Sequence, residues 1–117
     1  MTTDLITRDE LRAAIEAGSV TVIDALGGHY WATQHLPGAL PLHPSEAAER
    51  AADLLPDRTR PVVTYCSNPA CPNSGQVANT LTRLGYTNVR TYKEGIEDWT
   101  AADLPTESAA DLPAESA

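Results

Sequence analysis

The sequence predicts an α/β fold, with a central, mostly parallel β-sheet flanked by helices on both faces. Three observations lead there. Short β-branched runs alternate with helical stretches along the chain. The connections between those runs are too long for hairpins, so successive strands are joined by right-handed crossovers and lie parallel. The chain has 117 residues, 42% of them apolar, which is one domain's worth of material for a core.

The elements follow in order. Thr7-Arg8-Asp9-Glu10 is a capping box, with Thr7 as N-cap and Glu10 three positions on. Leu11, Ala14 and Ile15 give the helix one apolar face, and Gly18 ends it. Residues 20–25 are short and β-branched and read as a strand, broken by Gly27-Gly28. A helical turn is expected over 30–34, a turn at Pro37-Gly38 and a brief strand over 39–42. Ser45 is placed to cap a helix over 46–55, which Pro56 stops. Residues 61–65 form the clearest strand, and Cys66 follows it directly. Two prolines and no apolar run beyond alanine make 67–73 a loop. A helix over 74–84 carries Val77, Ala78, Leu81 and Leu84 on one face and stops at Gly85. A strand over 88–92 and a short helix from 95 to 99 complete the pattern.

The tail contains two copies of one octapeptide, AADLPTES from Ala101 and AADLPAES from Ala109. Two copies are too few for a solenoid. The folded domain is expected over 1–105, with Leu104 packing onto it. Residues 106–117 are acidic, small and without aromatics, and are expected to be disordered.

Composition narrows the function. A net charge of −8, from eight Lys and Arg against sixteen Asp and Glu, argues against nucleic acid and anionic membranes. No apolar run approaches the roughly 20 residues of a membrane span. The start, Met1-Thr2-Thr3-Asp4, has neither the basic nor the apolar stretch of a signal peptide, so a cytoplasmic location is expected. Two close cysteines, Cys66 and Cys71, read in a reducing cytosol as reactive or metal-binding rather than as a disulfide framework.

The chemistry points to Cys66. A thiol where a strand gives way to a loop and a helix start faces the positive end of the helix dipole. The free N–H groups of the loop can converge on an anion there. Both effects favour the thiolate, which is the nucleophile. Pro69 and Pro72 remove two N–H donors and stiffen the loop. No Arg or Lys lies between Cys66 and Arg83. A cysteine phosphatase needs a cationic fork for three phosphate oxygens, and the position six beyond the nucleophile is Pro72, so that chemistry is set aside.

Five segments, in order, resemble the single-domain rhodaneses. Val22-Ile23-Asp24 resembles the first strand and its aspartate. His35-Leu36-Pro37-Gly38-Ala39 resembles the His-Ile-Pro-Gly-Ala segment. Val62-Val63-Thr64-Tyr65-Cys66 resembles the strand ending in the catalytic cysteine. Residues 84–89 resemble the Gly-Tyr-x-x-Val approach, and Glu94-Gly95-Ile96-Glu97-Asp98-Trp99 the Gly-Gly-Ile-x-x-Trp close. The resemblance runs from about Leu5 to Pro105. It implies that Cys66 takes a sulfane sulfur from a donor such as thiosulfate, becomes a persulfide, and passes the sulfur to cyanide, a thiol or a protein acceptor. No cofactor is implied. Two departures stand out. Leu26 occupies a position where the family often has Arg. The loop from Cys66 to Ser74 is two residues longer than the usual Cys-x-x-Gly-x-Arg form, lacks its Gly and Arg, and carries Cys71.

The candidate substrate-binding residues are Ser67, Asn68, Ala70, Cys71, Asn73 and Ser74. Asp24 and His35 are expected to support the site, Asp24 as a hydrogen-bond acceptor at the strand end and His35 by ordering the loop before Pro37. Trp31 and Trp99 read as packing residues. His29, His35 and His43 with the two cysteines fit no compact metal pattern, so no metal is expected. Two rival readings stay open. Cys71 can act as a resolving thiol, which would make the protein a dithiol reductase or redox sensor. The missing Arg and the acidic tail also suit a non-catalytic protein-binding module.

Overall fold

The computed structural model describes residues 4–108. The elements are β1 (Asp4–Leu5), α1 (Arg8–Ala17), β2 (Thr21–Asp24), α2 (Gly28–Thr33), β3 (Leu40–Pro41), α3 (Ala47–Leu54), β4 (Val62–Tyr65), α4 (Asn73–Arg83), β5 (Val89–Tyr92) and α5 (Gly95–Ala101). The strands form one sheet in the order β1-β5-β4-β2-β3, with every neighbouring pair parallel.

Side-chain alternation along the strands builds two cores. Val22, Val63, Tyr65 and Tyr92 point to one face, against Leu11 of α1 and Trp99 of α5. Ile23 and Val62 point to the other, against Ala47 and Ala51 of α3 and Val77 and Leu81 of α4. A strand covered on both faces cannot alternate with polar residues, which is why β4 is buried at all four positions. Cys66 belongs to the second core and is 1% exposed.

The helix ends show where local chemistry decides. Thr7 caps α1 with the full reciprocal box, and Gly18 closes it at φ 67°. Ser45 does not cap α3. Its hydroxyl lies 2.9 Å from His43 Nδ1 instead, and α3 starts one residue later than expected, behind Glu46, with no side-chain cap. Pro72 precedes α4, where a missing N–H costs the helix nothing. β1, a two-residue edge strand beside β5, carries no local signal of its own.

The chain continues to make contacts past Pro105. Leu104 packs on the α1/α5 core, and the Trp99 indole donates to the Pro105 carbonyl at 2.7 Å. Glu107 and His35 exchange two backbone hydrogen bonds of 2.8 Å, and the Glu107 carboxylate accepts the Gly38 N–H at 2.9 Å. The second octapeptide, from Ala109, lies outside the described residues.

The strand order fixes where a ligand belongs. From β2 the chain moves outward to β3, then returns to the other side of β2 for β4 and continues outward to β5 and β1's side. The connections leaving β2 and β4 therefore diverge, and a crevice opens beyond the carboxyl ends of these two strands. Cys66 is the residue immediately after β4.

Candidate active site

The loop over 66–72 is held from three sides. From the α5 side, the N–H groups of Ile96 and Glu97 donate to the carbonyls of Cys66 and Ser67 at 2.9 and 3.0 Å. From β4, the Thr64 hydroxyl donates to the Ser74 carbonyl at 3.0 Å. From β2, the Ala25 carbonyl accepts the Asn73 side-chain amide at 3.1 Å. Within the loop, Asn68 accepts the Ala70 N–H on its side chain at 3.0 Å and the Cys71 N–H on its carbonyl at 3.1 Å. This tight turn between the prolines folds Cys71 back onto Cys66.

Cys66 points at Cys71: its S–H donates to the Cys71 carbonyl oxygen at 3.3 Å. The Ser74 hydroxyl is 3.6 Å from the Cys66 sulfur. Both cysteines are free, Cys66 buried and Cys71 half-buried.

Their surroundings shift the two thiols in opposite directions. Burial pushes the Cys66 thiol above its ordinary value of 9.0, and its hydrogen bond to Cys71 pushes the same way, against the Ser74 N–H and hydroxyl. Cys71 falls below that value. Burial opposes the fall, and the neighbouring Cys66, Asn73 and Ser67 groups, which favour the thiolate, outweigh it.

Two clefts flank this loop. One, of about 280 Å³, is lined by Cys71, Ser74, Thr91 and Lys93 among others. The other, of about 390 Å³, is lined by Leu26, Tyr30, Ser67 and Glu97 among others. Ser74 and Cys71 line the first cleft and also contact Cys66, so its wall is one side chain away from the buried sulfur.

The rhodanese-like domain family model matches residues 7–102. The chain belongs to the rhodanese-like domain family. It is 34% identical over 107 residues to the HTH-type transcriptional regulator Rv0324 of Mycobacterium tuberculosis, covering 89% of this chain and 45% of that protein. It therefore spans less than half of that relative's length. It is 34% identical over 67 residues to the thiosulfate sulfurtransferase PspE of Escherichia coli, covering 57% of this chain and 62% of PspE. In fold it resembles the BH2092 protein of Bacillus halodurans, with a TM-score of 0.83 at 23% identity, over 95% of this chain and 82% of that one. A structure described as rhodanese with anions, from E. coli, matches with a TM-score of 0.64 at 28% identity, over 76% of this chain and 98% of that one.

Within this rhodanese-like frame, the other predicted site residues sort by what they touch. Cys71 and Ser74 contact the Cys66 sulfur, and Ser67 and Asn73 flank Cys71 and favour its thiolate. Asn68 and Ala70 serve the loop itself. The Asn68 amide donates outward to Glu97 at 3.1 Å, and the Ala70 N–H is taken by Asn68. Asp24 is fully buried and accepts the Tyr65 hydroxyl and the Leu26 N–H, both at 2.8 Å. Tyr65 in turn accepts the Leu36 N–H at 3.1 Å, so this pair ties β2, β4 and the segment before Pro37 together. His35 is 1% exposed, stacks on Trp31 at 4.5 Å and places Nδ1 2.6 Å from the Trp31 carbonyl.

Two residues of the site escaped the sequence reading. Lys93, the only lysine in the chain, stands in the Cys71 cleft, one residue past β5. Its place beyond a strand's carboxyl end was the available signal. Gly95 has φ 78°, and a Cβ there would lie 2.5 Å from the Ser67 carbonyl carbon and oxygen. Its role depends on this close approach between remote segments, which sequence order does not reveal.

Proposed function

We propose that this rhodanese-like domain is a sulfurtransferase that carries sulfane sulfur as a Cys66 persulfide. The observation that carries the reading is the buried Cys66 thiol directly after β4, at the switch point of the sheet, with the Cys71 carbonyl 3.3 Å from its sulfur. Cys66 attacks the outer sulfur of a donor such as thiosulfate, and sulfite leaves with the S–S bonding pair. The Cys71 thiolate takes the Cys66 proton as the new bond forms. The Ser74 N–H and hydroxyl, at the start of α4, face the sulfur that gains charge. The Lys93 ammonium supplies the cation that the loop lacks and holds the donor anion in the Cys71 cleft. A second nucleophile, cyanide or a small or protein thiol, then removes the outer sulfur. The reading assigns the domain to a reducing cytoplasm, where both thiols stay free. The name of PspE and the anions of the E. coli rhodanese support an anionic sulfur donor.

The test is sulfite release on mixing with thiosulfate. The wild-type protein releases sulfite and Cys66→Ser does not. Equal release from both, or none from the wild type, contradicts the reading.

A second reading follows from the same contact. A dithiol that oxidises to a disulfide suits a redox sensor, and the regulator Rv0324 is 34% identical to this chain over 107 residues. Under that reading peroxide oxidises the pair reversibly while thiosulfate yields no sulfite.

A further inference from the structure

We propose that Cys71 diverts the sulfur accepted by Cys66: it attacks the persulfide at the sulfur bonded to the Cys66 Cβ, forms a Cys66–Cys71 disulfide, and expels the outer sulfur as hydrosulfide. The step rests on the sulfur-acceptance reading above and adds a second outcome to it. The domain becomes a sulfur reductase as well as a sulfur carrier.

The geometry places the attacking group. The turn at Asn68 brings Cys71 back onto Cys66, and the Cys66 sulfur faces that residue at 3.3 Å from its carbonyl oxygen. Thr64, Asn73, Ile96 and Glu97 fix both ends of the loop. The Ser67 and Asn73 groups around Cys71 favour its thiolate, which is the attacking form. Cys71 also lines the open cleft with Lys93, which gives the expelled anion an exit past a cation.

The balance closes without an added oxidant. When sulfur acceptance leaves the proton on Cys71, the pair is Cys66–S–S⁻ with Cys71–SH. An S–S bond forms between the two cysteines and the S–S bond to the outer sulfur breaks. The outer sulfur takes the bonding pair and the Cys71 proton and leaves as HS⁻. Two electrons pass from the cysteine pair to the sulfane sulfur, which is the oxidant. An external thiol then reduces the disulfide and resets the site.

A single-turnover reaction with thiosulfate tests this by the ratio of hydrosulfide to sulfite, with intact mass taken without reductant. The wild type is expected to release one hydrosulfide per sulfite and to lose the mass of two hydrogens. Cys71→Ala and Cys71→Ser, both more slowly, release sulfite with almost no hydrosulfide and gain the mass of one sulfur. Wild-type protein that releases sulfite yet keeps the added sulfur, or variants with the wild-type ratio, would overturn the step and leave sulfur acceptance standing. No sulfite from the wild type or either variant would overturn both.

Discussion

Gly95 packs directly onto the Ser67 carbonyl, at a distance that admits no side chain. Through this approach the α5 N-terminus receives the carbonyls of Cys66 and Ser67 on the N–H groups of Ile96 and Glu97. The position of the nucleophile's loop is thus set by a segment almost thirty residues away in sequence.

Gly95→Ala should therefore disturb the site more than its size suggests. The left-handed backbone alone costs about 1–2 kcal/mol for a residue with a Cβ. Relief of the 2.5 Å contact also requires the Ser67 backbone to move. A displacement of about 1 Å at a reacting group can cost roughly 100-fold in rate. Urea denaturation should show the lost stability, and sulfite release should fall by at least about tenfold. Wild-type rates in Gly95→Ala would contradict this placement of the loop.

Asp24 should leave a mark on the pH dependence of stability. Burial raises its carboxyl above the ordinary 3.8, against the hydrogen bonds from Tyr65 and Leu26. The folded state then binds the proton more tightly than the unfolded one. Its stabilising contribution is full below about 3.8 and is lost as pH rises through the folded value. Asp24→Asn titrates nothing, so the stability of the wild type relative to this variant should decline from pH 4 upward. A relative stability that rises over that range would contradict the sign. Tyr65→Phe, which leaves the Leu36 N–H and the Asp24 carboxylate short of a partner, should cost about 1–3 kcal/mol at any pH.

The thiols should react in a fixed order. Cys71 is the more acidic and the more exposed, so brief alkylation at neutral pH should modify Cys71 and spare Cys66. Peptide mapping after a time course reads the order, and faster labelling of Cys66 would refute it.

Lys93 should act on donor binding. Lys93→Ala should raise the KM for thiosulfate by roughly tenfold, the scale of one lost charge-assisted hydrogen bond, with little change in kcat. Lys93→Arg should restore much of it. An unchanged KM in Lys93→Ala would place the donor elsewhere, for example in the cleft beside Tyr30.

Much of this architecture is legible from local pattern. The β-branched runs of β2 and β4, the Thr7 capping box and the apolar face of α4 are written in neighbouring residues, and each appears within about two residues of its expected ends. The features that escaped depend on partners remote in sequence or on loop conformation. β1 exists because Asp4 and Leu5 lie in register with Arg90 and Thr91. Ser45 stands where a cap belongs, but His43 meets its hydroxyl. Burial, which the local pattern at the strand end does not reveal, pushes the Cys66 thiol up, while at Cys71 the neighbouring groups outweigh burial and pull it down. The turn at Asn68 that brings Cys71 back beside Cys66 is a matter of loop conformation, not of distance along the chain from α4.

The central claim is that Cys66 accepts the sulfur. Thiosulfate labelled at its outer sulfur, given to Cys71→Ala, should leave label bound to the protein that a thiol reductant removes and that maps to the peptide containing Cys66. The double variant Cys66→Ser/Cys71→Ala should bind none. Equal labelling of both variants, or an unlabelled Cys71→Ala protein, would contradict the account.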